Sequence, residues 1–347
     1  MRTAFAWVRV AALGAMAMLA CCLPTDACSQ GQPASGPRMR LVYQTTSEAR
    51  RGQWRLRDLP EGLDEWVLWE WTNDPWERTL STSYCAISGD WRHALFVEEW
   101  LVRAYFPTCT FALADLAEPL HGGKSVTIEN TFYLVDYPVW LDNSRFVLGV
   151  ADGPDRTEGY RQAQFNVITG APEQDPQPPY DYAGRNQAQV ERTADALARL
   201  PQSLVPEDLR APRHLVLAPD GADVTVETFE MLVKSYASLS PSGRRIAIAD
   251  RGRTLTVVAL ETGAQHRAEA VHLLLREATV IKDIHWSPDE GWVLFTEQHY
   301  QRGELPVGVA KPPISRKVVS LVRALEVDSG EVVTLVAGEN GFWVPRP

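Results

Sequence analysis

Short blocks of hydrophobic and polar positions alternate along this chain, and four of the blocks share one order. A strand-like run ends on a bulky apolar residue, a polar segment rich in Ser, Pro, Asp and Gly follows, and an apolar run then resumes. Pro presets φ, Asp or Ser bonds back to the local backbone, and Gly tolerates positive φ, so the polar segment predicts a tight turn. The continuously apolar run after it predicts a strand that is covered on both faces.

We call each such block a turn phrase, and its first apolar residue the lead residue. The fullest phrase reads WSPDEGWVLF from Trp286, and the other three begin at Ile87, Trp140 and Leu239. The phrases at Ile87 and Trp140 depart from it at the Pro. Successive lead residues are 53, 99 and 47 positions apart, which indicates one period of about 50 with a copy missing or degraded in the middle. A period of that length, built from short strands, is typical of the blades of a β-propeller.

A second turn that ends in Gly follows the phrase in three of the repeats, after predicted strands at 163–168, 255–260 and 322–327. Together the two turns resemble the TolB-type β-propeller repeat, over roughly residues 80 to 340. The resemblance implies a ring of blades in which the strand before each phrase is innermost, and a role in protein–protein contact at the cell envelope. A β-sandwich with similar turns is the alternative fold.

The expected fold is therefore an all-β, six-bladed β-propeller, and five to seven blades are compatible with the pattern. Three predicted strands before residue 80 form the first blade, at 40–45, 53–59 and 65–71. The four phrases supply four more blades, and an irregular blade in the middle carries a Pro-rich and helical insertion at about 171–211, with a helix from Gln187 to Leu200. The tail at 341–344 could close the ring beside the first blade.

The N-terminal residues predict export from the cytoplasm. Two arginines precede an apolar run at 10–20, which is too short to span a hydrocarbon core of ~30 Å as a helix. The segment MLAC, which ends at Cys21, resembles a bacterial lipobox and implies a signal peptide at 1–20 and lipidation of Cys21. Residues 21–38 then form a flexible tether, and residues 39–347 form a single propeller domain. Ordinary signal-peptidase cleavage, which would release a soluble secreted protein, is the alternative.

The net charge of the chain indicates which class of partner to expect. The net charge of −10 becomes −12 when the two arginines of the signal peptide are removed, and dense basic patches are absent, so a nucleic-acid partner is not expected. We expect a monomer in the periplasm or on the cell surface that binds a protein or peptide, with membrane contact only through its lipid anchor.

Cys85 and Cys109 are the only cysteines of the propeller domain, and both a disulfide and two buried free thiols are compatible with them.

The motifs of common cofactor and metal sites are absent from the sequence. The segment HGGKS at 121–125 ends like a P-loop, but Glu118 occupies the position of the required first glycine. The chain contains no G-x-S-x-G elbow, H-E-x-x-H motif, paired CxxC motif or EF-hand loop. We therefore expect neither a cofactor nor a metal.

Alignment of the phrases identifies candidate residues on the strand that precedes each one. Three residues before the lead the copies carry Tyr84, Tyr137, Tyr236 and Asp283, and one residue before it they carry Ala86, Val139, Ser238 and His285. If these strands are innermost, period-two alternation places both sets on one side of the strand, around the central channel. Tyrosine suits a recognition surface because it combines a flat apolar ring with a hydroxyl group, and blade-to-blade packing is the alternative.

The candidate ligand-binding residues are accordingly Tyr84, Tyr137, Tyr236, Asp283 and His285, with the last two as the polar spot. The interpretation that the sequence favours is a non-catalytic binding module. The alternative is a propeller hydrolase or lyase at the channel mouth, in which His285 acts as the base and Asp283 as its partner.

Overall fold

The structure is a computed structural model, and it describes residues 39–46, 51–60, 65–72, 78–102, 106–119, 133–153, 159–166, 179–206, 209, 236–250, 254–271, 277–302 and 315–346. The predicted signal peptide, lipidation site and tether at 1–38 lie outside these residues.

Within the described residues, eighteen strands form five antiparallel sheets. Their bounds are β1 (Met39–Thr46), β2 (Arg51–Asp58), β3 (Glu65–Thr72), β4 (Arg78–Ile87), β5 (His93–Val102), β6 (Phe106–Asp115), β7 (Tyr133–Trp140), β8 (Arg145–Ala151), β9 (Arg161–Asn166), β10 (Ala237–Leu239), β11 (Arg245–Ala249), β12 (Thr254–Ala259), β13 (Gln265–Glu269), β14 (Glu277–Trp286), β15 (Trp292–Arg302), β16 (Ser315–Glu326), β17 (Val332–Ala337) and β18 (Glu339–Pro345).

Each sheet is one blade of a β-propeller, and we number the blades along the chain. Blade 1 has the strand order β18-β1-β2-β3, blade 2 has β4-β5-β6, and blade 3 has β7-β8-β9. Blade 4 has β10-β11-β12-β13 and blade 5 has β14-β15-β16-β17. The first strands of neighbouring blades contact each other, β4 with β7, β10 with β14, and β14 with β18, which makes these strands the innermost ones of the ring.

The hydrophobic cores lie between the blades, as a ring of wedged sheets requires. Trp54 of blade 1 stacks on Phe96 of blade 2, with ring centroids 5.3 Å apart, in a core that these two blades share. Similar cores join blade 2 to blade 3, blade 4 to blade 5, and blade 5 to blade 1. The all-β propeller fold predicted from the repeat is confirmed.

Strand β18 closes the ring, as the sequence predicted for the tail. It pairs antiparallel with β1 from the other end of the domain, with Phe342 opposite Val42. Blade 1 is therefore built from three strands that begin the domain and one that ends it, so hydrogen bonds within one sheet join the two ends of the domain.

A helix, α1 (Tyr182–Ala198), lies between blades 3 and 4 in the chain and packs on blade 4. Leu197 of the helix and Leu200, just beyond its end, share a core with Ile246 and Ile248 of β11. The helix begins five residues before the predicted Gln187, because the side chain of Asp181 caps it by accepting the N–H of Gly184 at 2.8 Å. The helical insertion is confirmed, and the described residues contain five blades, within the predicted range. Residues 210–235 of the expected irregular blade lie outside the described residues.

Three of the four turn phrases share one hydrogen-bonding scheme. A serine directly after the lead residue accepts, through its hydroxyl oxygen, the backbone N–H at the start of the next strand: Ser88 from His93 at 2.8 Å, Ser240 from Arg245 at 3.2 Å and Ser287 from Trp292 at 2.9 Å. Backbone N–H groups of the same serines donate to the carbonyls of the same three partners. The phrase at Trp140 is one residue shorter, and there the carboxylate of Asp142 caps the turn.

Positive φ falls at one position of the phrase, and the residue there is not always glycine. Four residues after the lead stand Trp91 (φ 61°), Gly243 (φ 72°) and Glu290 (φ 58°). In the fullest phrase the left-handed residue is thus Glu290 and not Gly291, which the turn chemistry had favoured. The reason is that the conformation is set by the distance from the capping serine and not by the identity of the residue.

Candidate functional site

The lead tryptophans join each innermost strand to the one before it. The indole N–H of Trp140 donates to the carbonyl of Ala86 at 3.1 Å, and that of Trp286 donates to the carbonyl of Ser238 at 3.0 Å. Both acceptors stand one residue before the lead of the neighbouring phrase. The repeated tryptophan therefore sets the spacing of the innermost strands and forms part of the wall of the channel.

Strand β18 repeats the same positions a fifth time, which the sequence alignment did not identify, but the indole N–H of Trp343 makes no hydrogen bond within the described part of the chain. Trp343 stands in the lead position, and Asn340 lies three residues before it with φ 53°. Asp283, three residues before Trp286, has φ 54°, and both residues sit where the strand register shifts. Phe342 is then the counterpart of His285. The available signal was the Trp with an Asn three residues before it, but no turn phrase follows Trp343 to mark the repeat.

A pocket of about 490 Å³ lies at the ring axis, and we call it the axial pocket. The innermost strands of blades 1, 2, 3 and 5 and the turn after β4 form its wall. It is lined by Cys85, Ala86, Ile87, Gly89, Trp91, Pro138, Val139, Trp140, His285, Trp286, Phe342 and Trp343.

Aromatic rings dominate the lining of the axial pocket, and its polar groups are neutral at pH 7. The rings of His285 and Phe342 lie 4.7 Å apart between their centroids. Burial lowers the pKa of His285 below its usual 6.5, although Asp283 acts in the opposite direction, so the imidazole is uncharged at neutral pH. Burial also raises the pKa of the Cys85 thiol well above its usual value. The pocket thus presents flat apolar surfaces and one neutral donor–acceptor ring.

The five predicted site residues do not converge on a single place. His285 lines the axial pocket. Tyr84 and Tyr137 meet between blades 2 and 3, with ring centroids 4.0 Å apart, and 57% of Tyr137 is exposed. Tyr236 packs against the cores on both sides of blade 4, as the packing alternative described. Asp283 lies at the register shift of β14, where its carboxylate is 3.3 Å from the ammonium group of Lys282.

The left-handed backbone at Asp283 changes the side of the strand on which its carboxylate lies relative to the imidazole of His285. Period-two alternation had placed the two side chains on one side of β14, but the register shifts between Lys282 and His285 and interrupts that alternation. Among the described residues, no hydrogen bond joins the carboxylate of Asp283 to the imidazole of His285.

Cys85 is a free cysteine, which decides between the two alternatives left open for it. Strand β5 lies between β4, which carries Cys85, and β6, which carries Cys109. Two strand spacings of roughly 4.8 Å separate the backbones, whereas a disulfide needs Cα atoms within about 7 Å. The disulfide between Cys85 and Cys109 was therefore the wrong alternative.

The described residues contain neither a candidate metal site nor a candidate membrane-spanning helix. No group of three or more His, Cys, Asp or Glu side chains in that part of the chain could hold a metal ion. No helix there is both long and apolar enough to cross a membrane.

Comparisons with known proteins give only distant likenesses. No protein-family model and no curated protein matches the chain. The periplasmic gluconolactonase PpgL of Pseudomonas aeruginosa is 14% identical over 89% of this chain and 99% of that chain, with a TM-score of 0.37. An oligogalacturonate lyase of Vibrio parahaemolyticus is 13% identical over 87% and 80%, with a TM-score of 0.26. The β-propeller domain of Cps50 (Swd1) from Myceliophteria thermophila is 8% identical over 88% and 83%, with a TM-score of 0.22. The fold assignment therefore rests on the five blades themselves.

Proposed function

We propose that this protein is a non-catalytic, TolB-type β-propeller of the cell envelope that binds a protein or peptide partner in its axial pocket. The observation that carries the proposal is the lining of that pocket. Its rings come from the innermost strands of four blades and from one turn, and its lining side chains bear no charge at neutral pH. Rigid aromatic side chains around a concave site bind an apolar or aromatic side chain of a partner at little cost in conformational entropy.

The surroundings of His285 support binding over catalysis. A general base needs a partner that orients its ring, and a hydrolase or lyase needs several acids, bases or metal ligands that converge on one place. The carboxylate of Asp283 faces Lys282, and the ring of His285 contacts the apolar ring of Phe342. Cys85, the other ionisable side chain of the lining, has a pKa too high for a thiolate at neutral pH.

The envelope location is the second part of the proposal. A lipid anchor on Cys21 and the tether at 21–38 would hold the propeller near a membrane without a spanning segment. In the native host, Cys21→Ser should abolish incorporation of a labelled fatty acid and move the protein from the membrane pellet to the soluble fraction. The neighbouring Cys22→Ser is the matched control and should change neither. Equal behaviour of the two variants would remove the anchor from the proposal.

A blocked pocket tests the binding function. Gly89 lines the axial pocket at an exposed turn, and a Cβ placed there would meet only Asn143 at 3.8 Å, so Gly89→Trp should fold and fill the pocket. Partners captured by the wild-type protein from intact envelopes, by proximity labelling, should be lost from this variant. The control is Glu261→Trp, on an exposed turn of blade 4 outside the axial pocket, and it should retain them. Capture that is identical for all three proteins would reject the axial pocket as the binding site.

The fate of the captured molecule distinguishes the binding proposal from the enzyme alternative. If the captured molecule is converted by the wild-type protein and not by the double variant Asp283→Ala, His285→Ala, the protein is a hydrolase or lyase. Under the binding proposal, the double variant leaves the chemical state of the captured partner unchanged.

A further inference from the structure

Blade 3 presents a carboxylate in an unusual place on one of its faces. Asp136 of β7, Gly149 of β8 and Gln162 of β9 are opposite one another in register, so they form one row across the sheet. Because Gly149 has no side chain, the carboxylate of Asp136 lies over it, and a Cβ at that position would overlap Asp136 Oδ2. The middle of the row is thus occupied by a half-buried negative charge instead of an apolar side chain.

Three tyrosines lie beside this row. The hydroxyl of Tyr160 donates to Asp136 Oδ2 at 2.8 Å, and 45% of Tyr160 is exposed. The side-chain amide of Gln162 holds Tyr180 by both backbone groups, at 2.6 Å each. The ring of Tyr182 then packs edge-on against that of Tyr180, with centroids 4.7 Å apart. We call Asp136, Tyr160, Tyr180 and Tyr182 the tyrosine–carboxylate site.

One group of the site lacks a counter-charge, and another lacks a hydrogen-bond partner. Among the described residues Asp136 has no cationic partner, and Arg161 on the same blade pairs with Asp152 instead, at 2.7 Å. The hydroxyl oxygen of Tyr182 is buried and makes no hydrogen bond within the described part of the chain. A buried hydroxyl without a hydrogen bond costs free energy, as does a half-buried carboxylate without a counter-charge, and native proteins rarely keep such groups without a reason.

We propose that the tyrosine–carboxylate site binds a primary alkylammonium group, such as the side chain of a lysine in a partner peptide. An ammonium group placed there would pair with the Asp136 carboxylate, donate to the Tyr182 oxygen, and lie against the faces of electron-rich rings. An anion would be repelled by Asp136, and an apolar group would leave the charge of Asp136 uncompensated and the Tyr182 oxygen without a hydrogen bond. Burial, followed by the influence of Asp136, Tyr160 and Tyr180, raises the pKa of Tyr182, so the phenol is neutral and can accept a hydrogen bond.

The inference goes beyond the proposed function, because the site lies on a face of blade 3 and shares no residue with the axial pocket. Its test therefore needs no partner of that pocket. The probes are n-butylammonium, the blocked tripeptide acetyl-Ala-Lys-Ala-amide, and the same tripeptide with norleucine in place of lysine. Binding is followed by the NMR signals of ring-labelled tyrosines, assigned through the Tyr160→Phe and Tyr182→Phe variants of the full chain.

Saturable shifts of the Tyr160 and Tyr182 signals are expected with both ammonium probes and not with the norleucine peptide. Tighter binding of the lysine peptide identifies a peptide side chain as the natural source of the charge, and equal binding identifies a free amine. Asp136→Asn should weaken binding about tenfold, and Tyr182→Phe about threefold without loss of thermal stability. Asp152→Asn is the matched control on the same blade and should leave the dissociation constant unchanged.

Gly149→Ala gives a second way to disturb the site, because the new methyl group would displace the carboxylate of Asp136. It should weaken binding as Asp136→Asn does. The inference is overturned if no saturable shift occurs at Tyr160 and Tyr182, if the norleucine peptide binds as well as the lysine peptide, or if Asp136→Asn binds like the wild-type protein.

Discussion

The indole N–H of Trp286 reaches across to blade 4 and donates a 3.0 Å hydrogen bond to the backbone carbonyl of Ser238. Trp140 of blade 3 makes the same bond to the backbone carbonyl of Ala86 in blade 2. A side chain at one position of the repeat is therefore bonded to the backbone at the adjacent position of the preceding repeat. Because a propeller has no hydrogen-bonded ladder between blades, such bonds supplement hydrophobic packing in fixing how closely the innermost strands approach the axis.

Removing the indole N–H of Trp286 should destabilise the propeller. Trp286→Phe leaves the Ser238 carbonyl without its donor, and we expect a loss of about 1–3 kcal/mol in the free energy of unfolding, measured by urea denaturation. Trp91→Phe is the control, since Trp91 is 38% exposed and both aromatic residues meet the same left-handed backbone there. It should change stability by less than about 0.5 kcal/mol. Equal losses in the two variants would show that ring size, and not the hydrogen bond, matters at Trp286.

The left-handed position of the turn phrase can be tested at blade 4. Gly243 has φ 72°, and a Cβ there would have no atom within 4 Å, so Gly243→Ala introduces backbone strain and no steric contact. We expect a loss of about 1–2 kcal/mol in urea denaturation. Gly291→Ala is the matched control outside the left-handed region, where the new Cβ would lie 3.5 Å from Asp289, and its stability should be unchanged or slightly higher. A loss at Gly291 as large as that at Gly243 would contradict the assignment of the turn.

A buried ion cluster joins blade 5 to blade 4. Glu297 is fully buried; its Oε2 accepts from Arg323 at 2.5 Å, and its Oε1 lies 2.8 Å from His299 Nε2. The same carboxylate accepts the N–H of Val271, and Arg323 donates to the carbonyl of Glu269, both on the blade 4 side. Glu297→Gln removes the charge that Arg323 needs, and we expect a loss of about 3 kcal/mol at pH 7. The exposed Glu331→Gln should be neutral to within about 0.5 kcal/mol.

The free energy of unfolding should depend on pH through the ionisation of the Glu297 carboxylate. Burial alone would raise its pKa, but the hydrogen bonds from His299 and Arg323 together hold the pKa of Glu297 below its usual 4.5. The unfolded chain therefore takes up the proton first as the pH falls. The stabilisation is complete above pH 4.5 and is lost as the pH drops through the lowered pKa of the folded protein. Urea denaturation over this range should show a shallower decline for Glu297→Gln than for the wild-type protein, and parallel curves would contradict the assignment.

Cys85 should be unreactive in the folded protein. Cys85 is half-buried in the wall of the axial pocket, and desolvation there raises the pKa of its thiol, whereas alkylation requires the thiolate. Without reductant, iodoacetamide should leave the peptide that contains Cys85 unmodified in buffer and modify it fully in urea, as measured by mass spectrometry. A disulfide-linked peptide that joins Cys85 to Cys109 would contradict the free thiol. Alkylation in buffer at the rate of a small-molecule thiol would contradict its burial.

Much of the fold followed from local patterns. The strands of blade 1 begin and end within about two residues of their predicted bounds, and the tail closes the ring, because strand alternation and turn chemistry act within a few residues of one chain segment. The helix was predicted from its apolar stripe, but its start depended on the capping carboxylate of Asp181, which the stripe does not reveal. In the candidate site, alignment of the phrases gave His285 and Tyr236 the same role, whereas the structure places His285 in the lining of the axial pocket and packs Tyr236 between blades.

By itself, the sequence determined that the chain repeats a strand–turn–strand unit and that these units form blades, since both properties depend on residues close together in the chain. Only the tertiary structure decided which side chains share a site. The axial pocket joins segments far apart in the chain, from Cys85 to Trp343, and the left-handed residues Asp283 and Asn340 shift the alternation that the alignment assumed. The spacing of hydrophobic residues predicts neither which distant strands converge nor where the backbone becomes left-handed. Both are set by packing against the neighbouring blade.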